Sequence, residues 1–293
     1  MQGFITKNIS NLYHVKTDSA TYKCSARGKF KNEDITPVVG DTVEIEVINE
    51  SSKEAIITKI EERISYIKRP KVANISQMIC VLSTNMPKPD LLLLDKQLAF
   101  AEYLNIKPVI VINKLDIDKK EYAVQIEKLY TAIGYNVIIT SAIFKKGIEH
   151  LMDVLKNNIS VFSGNSGVGK STLINSIFRN QITKEGRLSD KSKRGKNTTT
   201  HVELYEIDTN SYIADTPGFS TFDIYEISYK ELDKYFIEFG DYIPNCGFVG
   251  CTHVKEEACG VKEAVQSNRI SQERYDRYVK IYQDLKEREE NKW

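Results

Sequence analysis

Gly164-Asn165-Ser166-Gly167-Val168-Gly169-Lys170-Ser171 is the stretch that decides the fold. It reads G-x-x-x-x-G-K-S, after an apolar run at 158–163 that suits a buried strand and before a helical pattern at 172–178. That strand–loop–helix context separates a phosphate-binding loop from an ordinary glycine-rich turn. Gly164, Gly167 and Gly169 let the backbone curl until its amides converge on phosphate oxygens at a helix N-terminus. Lys170 then reaches the β- and γ-phosphates, and Ser171 offers its hydroxyl to Mg²⁺. The expected nucleotide contacts run through Gly164, Asn165, Ser166, Gly167, Val168, Gly169, Lys170, Ser171 and Thr172. By chance alone the octet would occur in a chain this long about once in a hundred.

Outward from the loop the same grammar continues. Residues 77–83, 108–112 and 136–140 read as apolar strands, and 91–104, 122–134 and 148–155 as helices. This alternation predicts an α/β domain with a parallel sheet between helices. The 108–112 strand ends at Asn113-Lys114-Leu115-Asp116, or N-K-x-D, where such sheets bind ligands. The Asp116 carboxylate suits the paired N1–H and amine donors of guanine. Adenine lacks that pair and would leave a buried carboxylate unmet. Asn113 suits the O6/N7 side of the base, the Lys114 stem suits the ring face, and Ser141-Ala142 ends the next strand as a backbone contact. The nucleotide expected is therefore GTP or GDP.

A short strand at 212–215 leads into Asp215-Thr216-Pro217-Gly218. Asp215 is placed to hold Mg²⁺ through water, and the Gly218 amide to sense the γ-phosphate. The basic stretch 186–201 precedes it and contains Thr198-Thr199-Thr200. Thr199 is the favoured Mg²⁺ ligand, though its neighbours are not separated from it. Phe219 follows Gly218 and cannot orient an attacking water.

Hydrophobic residues make up 41% and charged ones 28% of the 293-residue chain, so about two or three packed domains are expected. No apolar run approaches the roughly 18–20 residues of a membrane span, and the first residues lack a signal-peptide core. The expected location is the cytoplasm, with no membrane partner and a monomeric state. A net charge of +1 neither demands nor excludes a nucleic-acid partner. Residues 1–65 carry short alternating strands such as 42–47 and predict an OB-type β-barrel. Lys23, Arg27, Lys29 and Lys31 cluster near one loop there. Residues 66–222 form the nucleotide domain, and 223–293 a helical domain, with helices expected at 227–239 and 261–290. Within the last, Cys246, Cys251, His253 and Cys259 offer three thiolates and an imidazole. That donor set suits one tetrahedral, structural Zn²⁺ with no open position. Cys24 and Cys80 stand alone on apolar patterns and read as core.

The base reader precedes the phosphate loop, the reverse of the ordinary order, as if the chain ends had been moved. With a barrel in front and C-x4-C-x-H-x5-C behind, the whole chain resembles the RsgA family of circularly permuted GTPases. The resemblance implies GTP hydrolysis stimulated by the 30S ribosomal subunit, with binding to its 16S rRNA near the decoding region late in maturation. The family carries a histidine before the triple threonine, where this chain has Asn197. Asparagine can bond a water but takes no proton near neutral pH. His201 is a substitute only if that segment folds it back. A GTP-binding RNA scaffold with little hydrolysis is the alternative reading.

Overall fold

The computed structural model describes residues 1–28, 30, 36–119, 121–185, 202–215 and 224–291, with backbone only at 180–185 and 215. Five strands come first: β1 (Gln2–Ile9), β2 (Leu12–Lys16), β3 (Thr21–Ala26), β4 (Thr42–Asn49) and β5 (Glu54–Ile60). A small antiparallel pair follows, β6 (Tyr66–Lys68) and β7 (Lys71–Ala73). Next come β8 (Gln77–Ser83), α1 (Leu91–Tyr103), β9 (Lys107–Asn113), α2 (Tyr122–Ile133), β10 (Asn136–Ile139), α3 (Ile148–Leu155), β11 (Ile159–Ser163) and α4 (Lys170–Glu185). The hairpin β12 (Glu203–Asp208) and β13 (Ser211–Asp215) precedes the C-terminal helices α5 (Gly260–Gln266) and α6 (Gln272–Glu290).

The chain forms two compact units. The first takes Met1–Ile79, Ile148–Phe162 and Lys170–Phe219, and the second Cys80–Gly147, Ser163–Gly169 and Ser220–Trp293. In the first unit, β1 pairs with β2, β2 with β3, β3 in parallel with β5, β5 with β4, and β4 back with β1. This closed five-stranded ring is the expected OB-type barrel, and closure removes exposed edges. Alternation drives it: in β4, Val43 and Ile45 are buried while Glu44 and Glu46 are exposed. Ser10 and Asn11 both take positive φ, the geometry of a two-residue hairpin turn between Ile9 and Leu12. Cys24 lies buried in this barrel, as its apolar pattern predicts. Lys29 and Lys31 of the basic cluster lie outside the described residues.

The first unit also carries β11, β13 and β12 beside the barrel. β11 runs parallel to β13, as expected, but β12 runs antiparallel to both β13 and β1. The connection from Asp208 to Ser211 is only Thr209-Asn210, too short for the crossover that a parallel pair needs.

In the second unit β10, β9 and β8 lie side by side, with β9 and β10 parallel. Every residue of β8 is buried, which explains its continuous apolar run. The expected helix at 227–239 is instead two 3₁₀ segments, Tyr229–Tyr235 and Ile237–Phe239, separated at Phe236, whose φ of −105° and ψ of 86° are not helical. The break lets Phe236 and Phe239 both pack edge-on against Tyr278, with ring centroids 5.0 and 4.9 Å away. The helical stretch expected at 261–290 is two helices. Left-handed Asn268 follows the end of the first, and Ser271 takes the N-cap position of the second.

Candidate nucleotide site and metal centre

The base reader is built at the ends of β9 and β10. Lys114 takes φ +67°, turning the chain sharply after β9 into the 3₁₀ segment Leu115–Ile117. The buried Asn113 side chain is engaged at both ends: its amide donates to Val168 O at 3.0 Å. Its oxygen accepts from Thr140 Oγ1 at 3.1 Å and Ala142 N at 3.3 Å. One amide therefore ties N-K-x-D, the Ser141-Ala142 element and the phosphate loop together. Asp116 accepts from Ser141 Oγ at 2.5 Å, so the expected guanine acceptor already faces a donor of the neighbouring element. Lys114 Nζ donates to Gly167 O at 2.6 Å and Met86 O at 2.5 Å, which lays its stem along the loop.

The glycine loop is held from three sides. Gly169 has φ +102°, and a Cβ there would lie 2.3 Å from Asn113 Nδ2, so the close approach of the two motifs requires glycine. Asn165 donates to Asp90 Oδ2 at 2.9 Å, while the other oxygen of Asp90 caps α1 at Leu93 N, 3.0 Å away. Gln97 Nε2, one α1 turn further, reaches Ser163 Oγ at 2.8 Å. Buried Thr84 donates to Lys114 O at 2.8 Å and braces the base-reader turn. Thr84, Asp90 and Gln97 are absent from the expected set. Asp90 alone had a signal, a capping residue before an apolar helical run.

In the first unit, Lys170, Ser171 and Thr172 open α4. Burial lowers the Lys170 pKa. Asp215 closes β13. Asn197, Thr199, His201 and Gly218 lie outside the described residues.

The thiol and imidazole cluster is assembled as expected. The candidate ligand atoms of Cys246, Cys251, His253 and Cys259 all lie within 4.8 Å of one another. His253 Nδ1 is 3.6 Å from Cys246 Sγ and 3.3 Å from Cys259 Sγ. Tetrahedral arms of about 2.0–2.1 Å to nitrogen and 2.3 Å to sulfur would separate N from S by about 3.6 Å, so the donor set fits Zn²⁺. Burial pushes the Cys251 thiol up to about 12 and raises Cys259 as well. A cation bound among them would favour the thiolates. His253 is wholly buried and its Nε2 has no hydrogen-bond partner, yet Asp233 Oδ2 stands 3.6 Å away. Among the described residues no helix is long and apolar enough to cross a membrane.

Comparison with known proteins converges on one family. Residues 60–225 match the model of the RsgA GTPase, and 2–57 that of the RsgA N-terminal domain. Two relatives, from Caldanaerobacter subterraneus subsp. tengcongensis and Clostridium beijerinckii, are 42% and 43% identical. Each match covers 100% of this chain, and 98% and 100% of the relative. Both are small ribosomal subunit biogenesis GTPases named RsgA. The crystal structure of YjeQ from Thermotoga maritima superposes with a TM-score of 0.84 at 35% identity, covering 97% of this chain and 98% of that one. That of YloQ, a circularly permuted GTPase, gives 0.81 at 33%, covering 98% and 95%. The rotated motif order, the barrel and the thiol cluster have the same explanation: the chain belongs to the RsgA GTPase family of GTP-hydrolysing enzymes.

Proposed function

We propose that the chain hydrolyses GTP to GDP and phosphate during late maturation of the 30S ribosomal subunit, as a cytoplasmic monomer that contacts 16S rRNA. The observation that carries the GTP reading is the Asn113 side chain, which joins the base reader, Ser141-Ala142 and the phosphate loop in one hydrogen-bonded set. When guanine enters, Asp116 exchanges its Ser141 donor for the N1–H and amine of the base. The loop amides from Gly164 to Gly169, with Lys170, take the phosphates. Ser171, Thr199 and Asp215 are the side chains that would hold Mg²⁺, which neutralises charge on the transferred phosphoryl group. The Gly218 amide reads the γ-phosphate. Cys246, Cys251, His253 and Cys259 hold a structural Zn²⁺. The reading divides the chain into a barrel at 1–65, a GTPase domain at 66–222 and a zinc-bearing domain at 223–293.

Neither Phe219 nor Asn197 can act as a base on the attacking water. A water-positioning group contributed by, or ordered by, the ribosomal subunit accounts for hydrolysis. GTP turnover measured with and without purified 30S subunits tests this. Slow turnover alone and a large acceleration by 30S is the expected result. Full turnover without subunits would make it a general GTPase, and none in either condition would leave the non-hydrolysing RNA scaffold.

A further inference from the structure

Immediately after Ser141-Ala142 the chain reads Ile143-Phe144-Lys145-Lys146-Gly147. Phe144 is 74% exposed and Ile143 71%, and Lys145 and Lys146 are exposed beside them. The turn is not loose. Ser141 and Lys146 exchange both backbone hydrogen bonds, at 3.0 and 3.1 Å, and Phe144 N donates to Ser141 Oγ at 3.4 Å. Lys145 takes φ +56°. Gly147 takes φ +73°, and a Cβ there would sit 2.3 Å from Ile139 O, so only glycine closes the loop against β10. Neither lysine has an ion-pair partner among the described residues, and residues 142–148 contain no acidic side chain. A bare aromatic face is thus held out in a fixed geometry, flanked by two uncompensated cations.

We propose that this turn is a contact point for single-stranded RNA, with a nucleobase stacked on Phe144 and the adjoining phosphates on Lys145 and Lys146. Single strands are held by this combination, an aromatic platform beside basic groups that track the backbone. Pre-ordering of the turn removes the entropy that a free loop would lose on binding. A protein partner fits less well, because interface cores are depleted in lysine and here two lysines adjoin the aromatic ring. The turn adjoins the Ser141-Ala142 element of the base reader without including its proposed base contacts, and its assignment stands or falls independently of the 30S reading.

The test uses the full chain and an oligonucleotide carrying 5-iodouridine, which on irradiation couples to a stacked aromatic ring. Mass spectrometry then maps the attached residue. Attachment at Phe144 is expected, retained at that position in Phe144→Tyr and lost in Phe144→Ala. Affinity for the same RNA should fall by about five- to 150-fold in Phe144→Ala, from typical stacking strengths. In Lys145→Ala/Lys146→Ala the slope of log affinity against log salt should shrink by about 1.4, from two lost single-strand phosphate contacts. Unchanged binding of labelled GDP in each variant shows that the base reader is still folded. Attachment only elsewhere in the chain, with unchanged RNA affinity in Phe144→Ala, would overturn the proposal. Unchanged RNA binding with weakened association to a ribosomal protein would overturn it in favour of a protein contact.

Discussion

Asp95→Ala is the most informative single change to the second unit. Asp95 sits on α1, one turn beyond the residue that caps it, and is wholly buried. Its Oδ1 accepts from Arg274 Nη1 and, at 2.6 Å, from Tyr130 OH, and its Oδ2 accepts from Arg277 Nε at 2.5 Å. Arg274, 1% exposed, also donates to Glu238 and lies over the Phe236 ring at 4.8 Å. Two cations and two carboxylates therefore balance, and the aromatic packing excludes water from Arg274. Removing Asp95 leaves Arg274 buried with Glu238 alone and Arg277 without its nearest acceptor. Breaking a buried pair from one side typically costs about 3–5 kcal/mol, because a charge is left unmet. The orphaned Tyr130 hydroxyl adds to this, though not additively with its neighbours. At about 2–4 °C per kcal/mol for a unit of this size, the thermal transition should fall by about 6–20 °C. Differential scanning calorimetry of the metal-loaded protein reads it directly. The same measurement on Arg274→Met and on the double variant supplies a coupling energy, and Asp95→Ala should cost less when Arg274 is already gone. A loss under about 1 kcal/mol, or strictly additive effects, would show that the pair is solvated or exchangeable and refute the reasoning.

Gly169→Ala should weaken GDP binding by about five- to 150-fold, the equivalent of about 1–3 kcal/mol of backbone strain, measured with a fluorescent nucleotide; intact affinity would show that Asn113 yields freely. Asp233→Asn should lower Zn²⁺ affinity by about 10- to 100-fold in a chelator competition, since Asp233 is the only carboxylate facing His253 Nε2 among the described ion pairs. An unchanged affinity would remove it from the site. Stripping the metal should raise hydrogen exchange across 240–260 and leave GDP binding intact; a parallel loss of nucleotide affinity would contradict that separation. Burial tends to raise the Glu256 carboxyl, but hydrogen bonds from Thr252 N, Thr252 Oγ1, Val254 N and Lys255 N outweigh it and hold it at about 2. A depressed carboxylate stabilises fully above its unfolded value and loses that contribution as pH falls through the folded one. The stability difference between wild type and Glu256→Gln should therefore be flat above about pH 5 and shrink toward pH 2, and a flat difference down to pH 2 would contradict it.

Sequence legibility followed the range of the forces involved. The barrel strands, β8 to β10 and the helices between them were readable because each obeys one local rule, period-2 alternation or a continuous buried run. The thiol cluster was readable because its donors fall within 14 residues, Cys246 to Cys259. What failed was set by distant packing. The stretch 227–239 has helical spacing, but two phenylalanines share one tyrosine, and this divides it into 3₁₀ pieces. Asp95 and Arg274 lie 179 residues apart, and each looks like an ordinary charged helix position. The N-K-x-D spacing marks Asn113 as a base contact but gives no sign that it is also a strut whose partners come from two other motifs. Spacing could identify the motifs but not the hydrogen bonds between them.

The rotated motif order gains a second consequence from the first unit. In sequence, the stretch with Thr199 precedes β12 and the stretch with Gly218 follows β13, so the two proposed nucleotide-sensing segments flank one hairpin. That hairpin is fastened to the barrel. β12 pairs with β1 at Lys7 and Glu203, Lys16 reaches Glu206 at 2.5 Å and Tyr212 OH at 3.0 Å, and the Phe4 and Tyr212 rings meet edge-on at 4.8 Å. The ion pairs here are about one-third exposed and contribute little on their own. Backbone pairing and the ring contact supply most of the attachment, and neither is weakened by salt. Under the proposed roles, a shift of the segment before β12 would act on a strand already paired with β1. The covalent path from Gly218 toward Cys246 leads to the metal-bearing region, while the hydrogen-bonded path from β12 leads to the barrel. On the proposed reading, permutation would give the state of the nucleotide two physical routes outward, one through the chain and one through a sheet.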